Sequence, residues 1–144
     1  MAVLDSAALY LALCPEAAPA EARLCVRMGF TCLRDIARVV RIPFDADPLP
    51  DAGITLSFDE FADAVGRLRR AGVPLERTPG EAWPHFRGWR VNYESIAYAL
   101  ADRVYAPAAP WTGPRSGGHE AVLSPERPVH RAPDQPEGDP AARA

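Results

Sequence analysis

Within each stretch that proline leaves uninterrupted, apolar residues recur at three- and four-residue steps, a period that puts them on one face of a helix and on no single face of a strand. The stretch RLCVRMGFTCLRDIARVVR, Arg23 to Arg41, lies in a helix predicted from about Ala20 to Ile42. Cys25, Val26, Met28, Gly29, Cys32, Leu33, Ile36, Val39 and Val40 share one arc of it and are expected to face a core. Arg23, Arg27, Arg34, Arg38 and Arg41 lie on the other side, within about 60° of one another at about 100° per residue. Pro43 and the run PFDADPLPDAG end this helix, since proline cannot continue the ladder and biases the residue before it toward extended backbone.

The same reasoning places three more helices. MAVLDSAALYLAL is almost wholly apolar and is expected to be buried on most sides; Cys14-Pro15 closes it, and Pro19 fits a first turn where no amide bond is lost. Ser57-Phe58-Asp59-Glu60 is a capping box, in which hydroxyl and carboxylate satisfy each other's backbone amides. It opens a helix to about Ala71 with Phe58, Phe61, Ala62, Val65 and Leu68 on one face, ended by Gly72 in a left-handed cap with Val73 as its hydrophobic contact. A second box, Thr78-Pro79-Gly80-Glu81, opens a last helix predicted to run unbroken to about Tyr105. Trp83, Phe86, Trp89, Tyr93, Ile96, Ala97, Leu100 and Val104 would make it the aromatic wall of the core, with Pro84 near enough to its start to be tolerated or to delay the regular helix by one turn.

The predicted fold is therefore all-α: a small four-helix bundle-like domain over residues 1–111. Eight of the 16 prolines follow Ala106, with Gly117-Gly118 among scattered charges, so residues 112–144 are predicted to be a disordered Pro-rich tail. The 144 residues, 48% of them hydrophobic, suffice for one modest core.

Composition narrows the partners. The net charge of −3 is not that of a strongly basic nucleic-acid binder. All 16 basic residues are arginine, which reads as the bias of GC-rich coding as readily as chemistry. Cys14, Cys25 and Cys32 follow no zinc-ligand spacing and are expected to be reduced thiols, with Cys25 and Cys32 as small core residues. No metal or cofactor is expected. The apolar run Ala7 to Leu13 is much shorter than the roughly 20 residues of a bilayer span.

Catalysis finds no constellation here. G-x-S-x-G, H-E-x-x-H and a phosphate-binding glycine loop are all absent, His85 stands without a nucleophile, and Asp59 and Glu60 point apart on a helix. A deep polar pocket around His85, Tyr93 and Glu94 would be the sign of a small enzyme. TCLRDIARVVRIP is similar to the first helix of a helix-turn-helix, but an acidic proline-rich loop stands where the recognition helix should follow, so nucleic acid is not expected. The arginine stripe is expected to be a solvated face countered by Asp35, Asp45, Asp47 and Asp51, or else to face an acidic partner or an anionic membrane surface, where each arginine contributes about 1 kcal/mol.

The ordered set AVLDSAALYL, AEARLCVRMGFTCLRDIARVV, a capped helix ending GVPL, and WRVNYESIAYALADRVYAPAAPW resembles the C-terminal cytosolic region of bacterial two-transmembrane potassium-channel-like proteins. Tyr93-Glu94 and Pro110-Trp111 occupy the places of that family's Tyr-Glu pair and proline-tryptophan stop. The pore helices and the carbonyl filter are absent, so the chain alone would not conduct ions. The resemblance implies a non-catalytic cytosolic interaction or regulatory module, at the inner face of the membrane or free of it. Its partners would be the membrane-embedded pore region of a longer protein or a second copy of itself, the chain starting either as a free-standing relative or at an internal methionine. Leu4, Leu9, Leu11, Leu13, Trp83, Trp89 and Tyr93 are the expected helix-packing or partner surface. A free-standing helical adaptor unrelated to membranes is the alternative.

Overall fold

The computed structural model of the protein describes residues 1–106 and Trp111. Among these the chain is all-helical: α1 is Ala2–Leu13, α2 Ala20–Val39, α3 Phe58–Arg70, α4 Pro79–Arg90 and α5 Glu94–Arg103. The tail predicted for 112–144 lies outside the described residues.

α1 occupies the middle, packed on α2 to one side and α4 to the other, while α3 lies on α4 and α5 on α2. Its composition suits that position, with Leu4, Ala8, Leu11, Ala12 and Leu13 all buried. The close approach to α2 is made at Gly29, where a Cβ would lie 2.1 Å from Leu4 Cδ2. The exposed carbonyls at the end of α1 are taken up by the segment before α4. Leu13 O accepts from the amides of Glu76 and Arg77, and Ala12 O accepts from Arg77 Nη1, a cation at a helix C-terminus. The Glu76 carboxylate accepts in turn from the amides of Glu16 and Ala17.

Both capping boxes form. Ser57 Oγ and Thr78 Oγ1 accept from the amides of Glu60 and Glu81, whose carboxylates accept from the Ser57 and Thr78 amides. These bonds, first from the backbone and then from the hydroxyl, hold both carboxyls below the usual range. Gly72 takes the left-handed conformation, φ 81°, with Val73 N donating to Leu68 O.

The single last helix predicted from the sequence is instead two, α4 and α5, divided at residues 91–93. Asn92 is the local cause: its Nδ2 donates to Gly88 O at 2.9 Å, offering a C-terminal carbonyl of α4 a side-chain donor in place of the next turn. Tyr93 then leaves the helical region at φ −135°, ψ −17° and begins α5 by accepting from Ala97 N. The break turns Arg90, Tyr93 and Glu94 together toward Asp5.

Candidate interaction surface

Two groups of side chains stand out, one inside the molecule and one on its surface. The inner group joins α1, α4, α5 and the segment before α3. Tyr93 Oη donates to Asp5 Oδ1 at 2.7 Å, and Trp111 Nε1 donates to Asp5 Oδ2 at 3.2 Å. Arg90 Nη1 lies 3.1 Å from Asp5 Oδ1, and Arg90 Nε donates to Glu94 Oε1 at 2.8 Å. Glu94 also accepts from the amide and hydroxyl of Thr55. Phe86 and Trp111 lie against the Arg90 guanidinium, at 5.9 and 5.7 Å from its central carbon.

Burial acts to lower the pKa of Arg90, but Asp5 and the bond to Glu94 outweigh it and the net shift is upward. Burial first, then the charge of Asp5 and the bond to it, push the Tyr93 phenol up, so it stays a neutral donor. Asp5, Arg90, Tyr93 and Glu94 are all buried, and the one guanidinium is ion-paired with both carboxylates. His85 is exposed on α4 and takes no part.

This inner cluster accounts for much of the sequence-predicted packing surface. Leu4, Leu11, Leu13 and Tyr93 are buried in the fold's own core, and Leu9, Trp83 and Trp89 are half-buried against it. They are helix-packing residues here, and Leu4, Leu11, Leu13 and Tyr93 present little surface to a partner. Asp5 and Arg90 carry the cluster and were not among the expected site residues. Their signal was a lone acid in an apolar helix, and an arginine in register with Phe86 and Tyr93 on an aromatic face.

The outer group lies on α2. The arginine stripe is not uniform. Arg34 turns inward, its Nη2 donating to Asn92 Oδ1 at 3.0 Å and its guanidinium 4.9 Å from the Phe30 ring. Arg38 pairs with Asp35 at 2.6 Å and lies 5.5 Å from the Phe44 ring. Arg23, Arg27 and Arg41 are exposed, with no ion-pair partner among the described residues. The loop aspartates do not supply the expected counter-charges: Asp45 Oδ1 accepts from the Asp47 amide, and no ion pair reaches the stripe from 45, 47 or 51.

The expected core arc of α2 also divides. Val26 and Ala37 are buried and Leu33 half-buried, which fixes the inward direction. Met28 is 60% exposed and Val39 83%, with Ile36 and Cys32 exposed beside them; Leu24, absent from the predicted arc, is 58% exposed and joins them. The correction has a geometric cause. At about 100° per residue, Leu24, Met28, Cys32 and Val39 fall within about 80° of one another and well away from Val26. α1 and α5 are narrower than the apolar arc and cover only its inner part.

Two shallow depressions flank this crest. One, of about 380 Å³, is lined by Ala18, Pro19, Ala20, Arg23, Leu24 and Arg27. The other, of about 500 Å³, is lined by Ala37, Arg38, Arg41, Ile42, Pro43 and Phe44. Each carries two arginines of the stripe.

Among the described residues no three His, Cys, Asp or Glu side chains converge as a metal site, and no helix is long and apolar enough to cross a membrane. Comparison with protein-family models, with curated proteins and with solved structures finds no match to this chain.

Proposed function

We infer that the chain is a non-catalytic interaction or regulatory module, of the kind implied by its resemblance to a channel-like cytosolic tail, and that it works through the outer face of α2. One observation carries this reading: Leu24, Met28, Ile36 and Val39 are all exposed on the one helix α2, beside Arg23, Arg27 and Arg41, which have no ion-pair partner among the described residues. Apolar side chains gathered on one helix face in this way mark a surface that a partner covers. The buried Asp5–Arg90–Glu94 group serves this function by holding α1, α4 and α5 in place behind α2.

The test is photo-crosslinking in the cells of origin. A photoreactive residue replacing Met28 is expected to give adducts, and one replacing Arg69 on α3 to give none. Equal labelling from both positions, or none from position 28, would overturn the reading.

A further inference from the structure

Resting on that reading, we propose that the crest of α2, with an arginine-bearing depression at each end, docks on the surface of an anionic lipid bilayer. The shape of the face favours a plane. A helix docks most readily in an apolar groove, whereas here the apolar side chains Leu24, Met28 and Val39 stand on a crest, and each depression at its ends adds two arginines to an otherwise apolar lining. A crest with polar, cationic ends matches a plane whose interior is apolar and whose surface is a field of phosphates.

Its charge favours an anionic one. Arg23 and Arg27 at one end and Arg41 at the other are unpaired among the described residues. They are separated along α2 by about 20 Å or more. The acids of the helix, Glu21 and Asp35, lie in the sector of the crest; Asp35 is paired with Arg38, and three open arginines outnumber Glu21. A second copy of the chain would bring arginine flank against arginine flank when the helices pair antiparallel, which disfavours self-association.

The end of α5 adds to the same face. Arg103 Nη1 donates to Val40 O, so Val104 and Tyr105 emerge beside the C-terminal end of α2. Val104 is 71% exposed and Tyr105 94%. Arg41 and Tyr105 both hold left-handed backbone, φ 57° and 53°, where glycine is the easier residue. An arginine and a tyrosine, side chains suited to a membrane interface, thus stand at positions where the fold's own stability favours neither.

The experiment is sedimentation of the full chain with vesicles of phosphatidylglycerol and phosphatidylcholine in equal parts, against phosphatidylcholine alone. Binding is expected to the anionic vesicles only, and to fall as salt rises. Arg23→Glu with Arg27→Glu and Arg41→Glu should weaken it by about tenfold or more. Leu24→Ser with Met28→Ser and Val39→Ser should weaken it at every salt concentration, and Arg69→Glu with Arg70→Glu on α3 should leave it unchanged. Circular dichroism establishes that each variant is folded. As a measurement that needs no charge reversal, a polarity-sensitive dye on Cys32 in the Cys25→Ser protein should shift to the blue on adding anionic vesicles. No sedimentation with anionic vesicles, or equal loss from the α3 variant, would overturn the proposal. Protein adducts from position 28 without vesicle binding would overturn the lipid surface alone; no adducts and no vesicle binding would remove both readings.

Discussion

The Tyr93 hydroxyl donates to Asp5 Oδ1 at 2.7 Å, joining residues 88 positions apart and tying the first helix to the turn between the last two. Asp5 accepts from Tyr93 and Trp111 and is ion-paired with Arg90 Nη1. Asp5→Ala leaves all three facing an apolar space, and leaves Arg90 with Glu94 as its remaining counter-charge. The expected loss of stability in urea unfolding is about 3–5 kcal/mol, the scale for breaking a buried pair by removing one partner. A loss under about 1 kcal/mol would mean that water enters and replaces the carboxylate.

Tyr93 also gives the fold an alkaline limit. An unfolded tyrosine ionises near its ordinary value of 10.0, whereas burial and the adjacent Asp5 raise the value in the folded protein. The folded state therefore keeps a proton that the unfolded chain gives up. Its contribution is complete below about pH 10 and is lost as pH rises beyond that. Urea midpoints measured from about pH 8 to about pH 11 should fall above pH 10 in the wild-type protein. Tyr93→Phe should start about 1 kcal/mol less stable at neutral pH, from the lost hydrogen bond, and show a flatter alkaline slope. Tyr10→Phe should keep the wild-type slope.

Much of this architecture was legible in the residues, and the two places where it was not share a cause. Ser57 with Glu60, Thr78 with Glu81, and Gly72 with Val73 are local signals, satisfied within a few residues of one another, and each forms as its spacing implies. The division of α4 from α5 has a local part in Asn92, but the Tyr93 side chain is held outside the helix by Asp5, far away in sequence. Likewise the wheel of α2 shows that Met28 and Val39 are apolar, but not how much of that arc α1 and α5 can cover. The open arginines and the crest beside them become visible only once Arg34 and Arg38 are seen to be occupied.

Gly29 and Leu4 provide a test of the α1 and α2 crossing. In an exposed helix interior, Gly→Ala stabilises by about 1 kcal/mol. At position 29 the new Cβ would meet Leu4 Cδ2 at 2.1 Å and both Cδ1 and Cγ at 3.1 Å, so rotating one methyl does not clear it. Gly29→Ala should therefore destabilise the protein by about 1–3 kcal/mol. Leu4→Ala opens space at the same place and should absorb that cost, so the two changes together should cost at least about 1 kcal/mol less than their sum. A double-mutant cycle in urea measures this, and additive effects would mean that α1 and α2 separate to admit the methyl group.

Three helices end with the same closure, an amide reaching back five residues past a left-handed one. Ile42 donates to Ala37 O around Arg41, Val73 to Leu68 O around Gly72, and Ala106 to Ala101 O around Tyr105. Glycine occupies the middle case alone, and a side chain with a Cβ in this conformation costs roughly 1 kcal/mol. Arg41→Gly and Tyr105→Gly should accordingly raise the melting temperature by a few degrees each, and Gly72→Ala should lower it by a similar amount. If Arg41 and Tyr105 are kept for what they touch outside the fold, the two stabilised variants will bind anionic vesicles less well than wild type. Stabilisation with binding intact would leave Arg41 and Tyr105 without a part in docking, and the arginines at the other end of α2 would have to carry it.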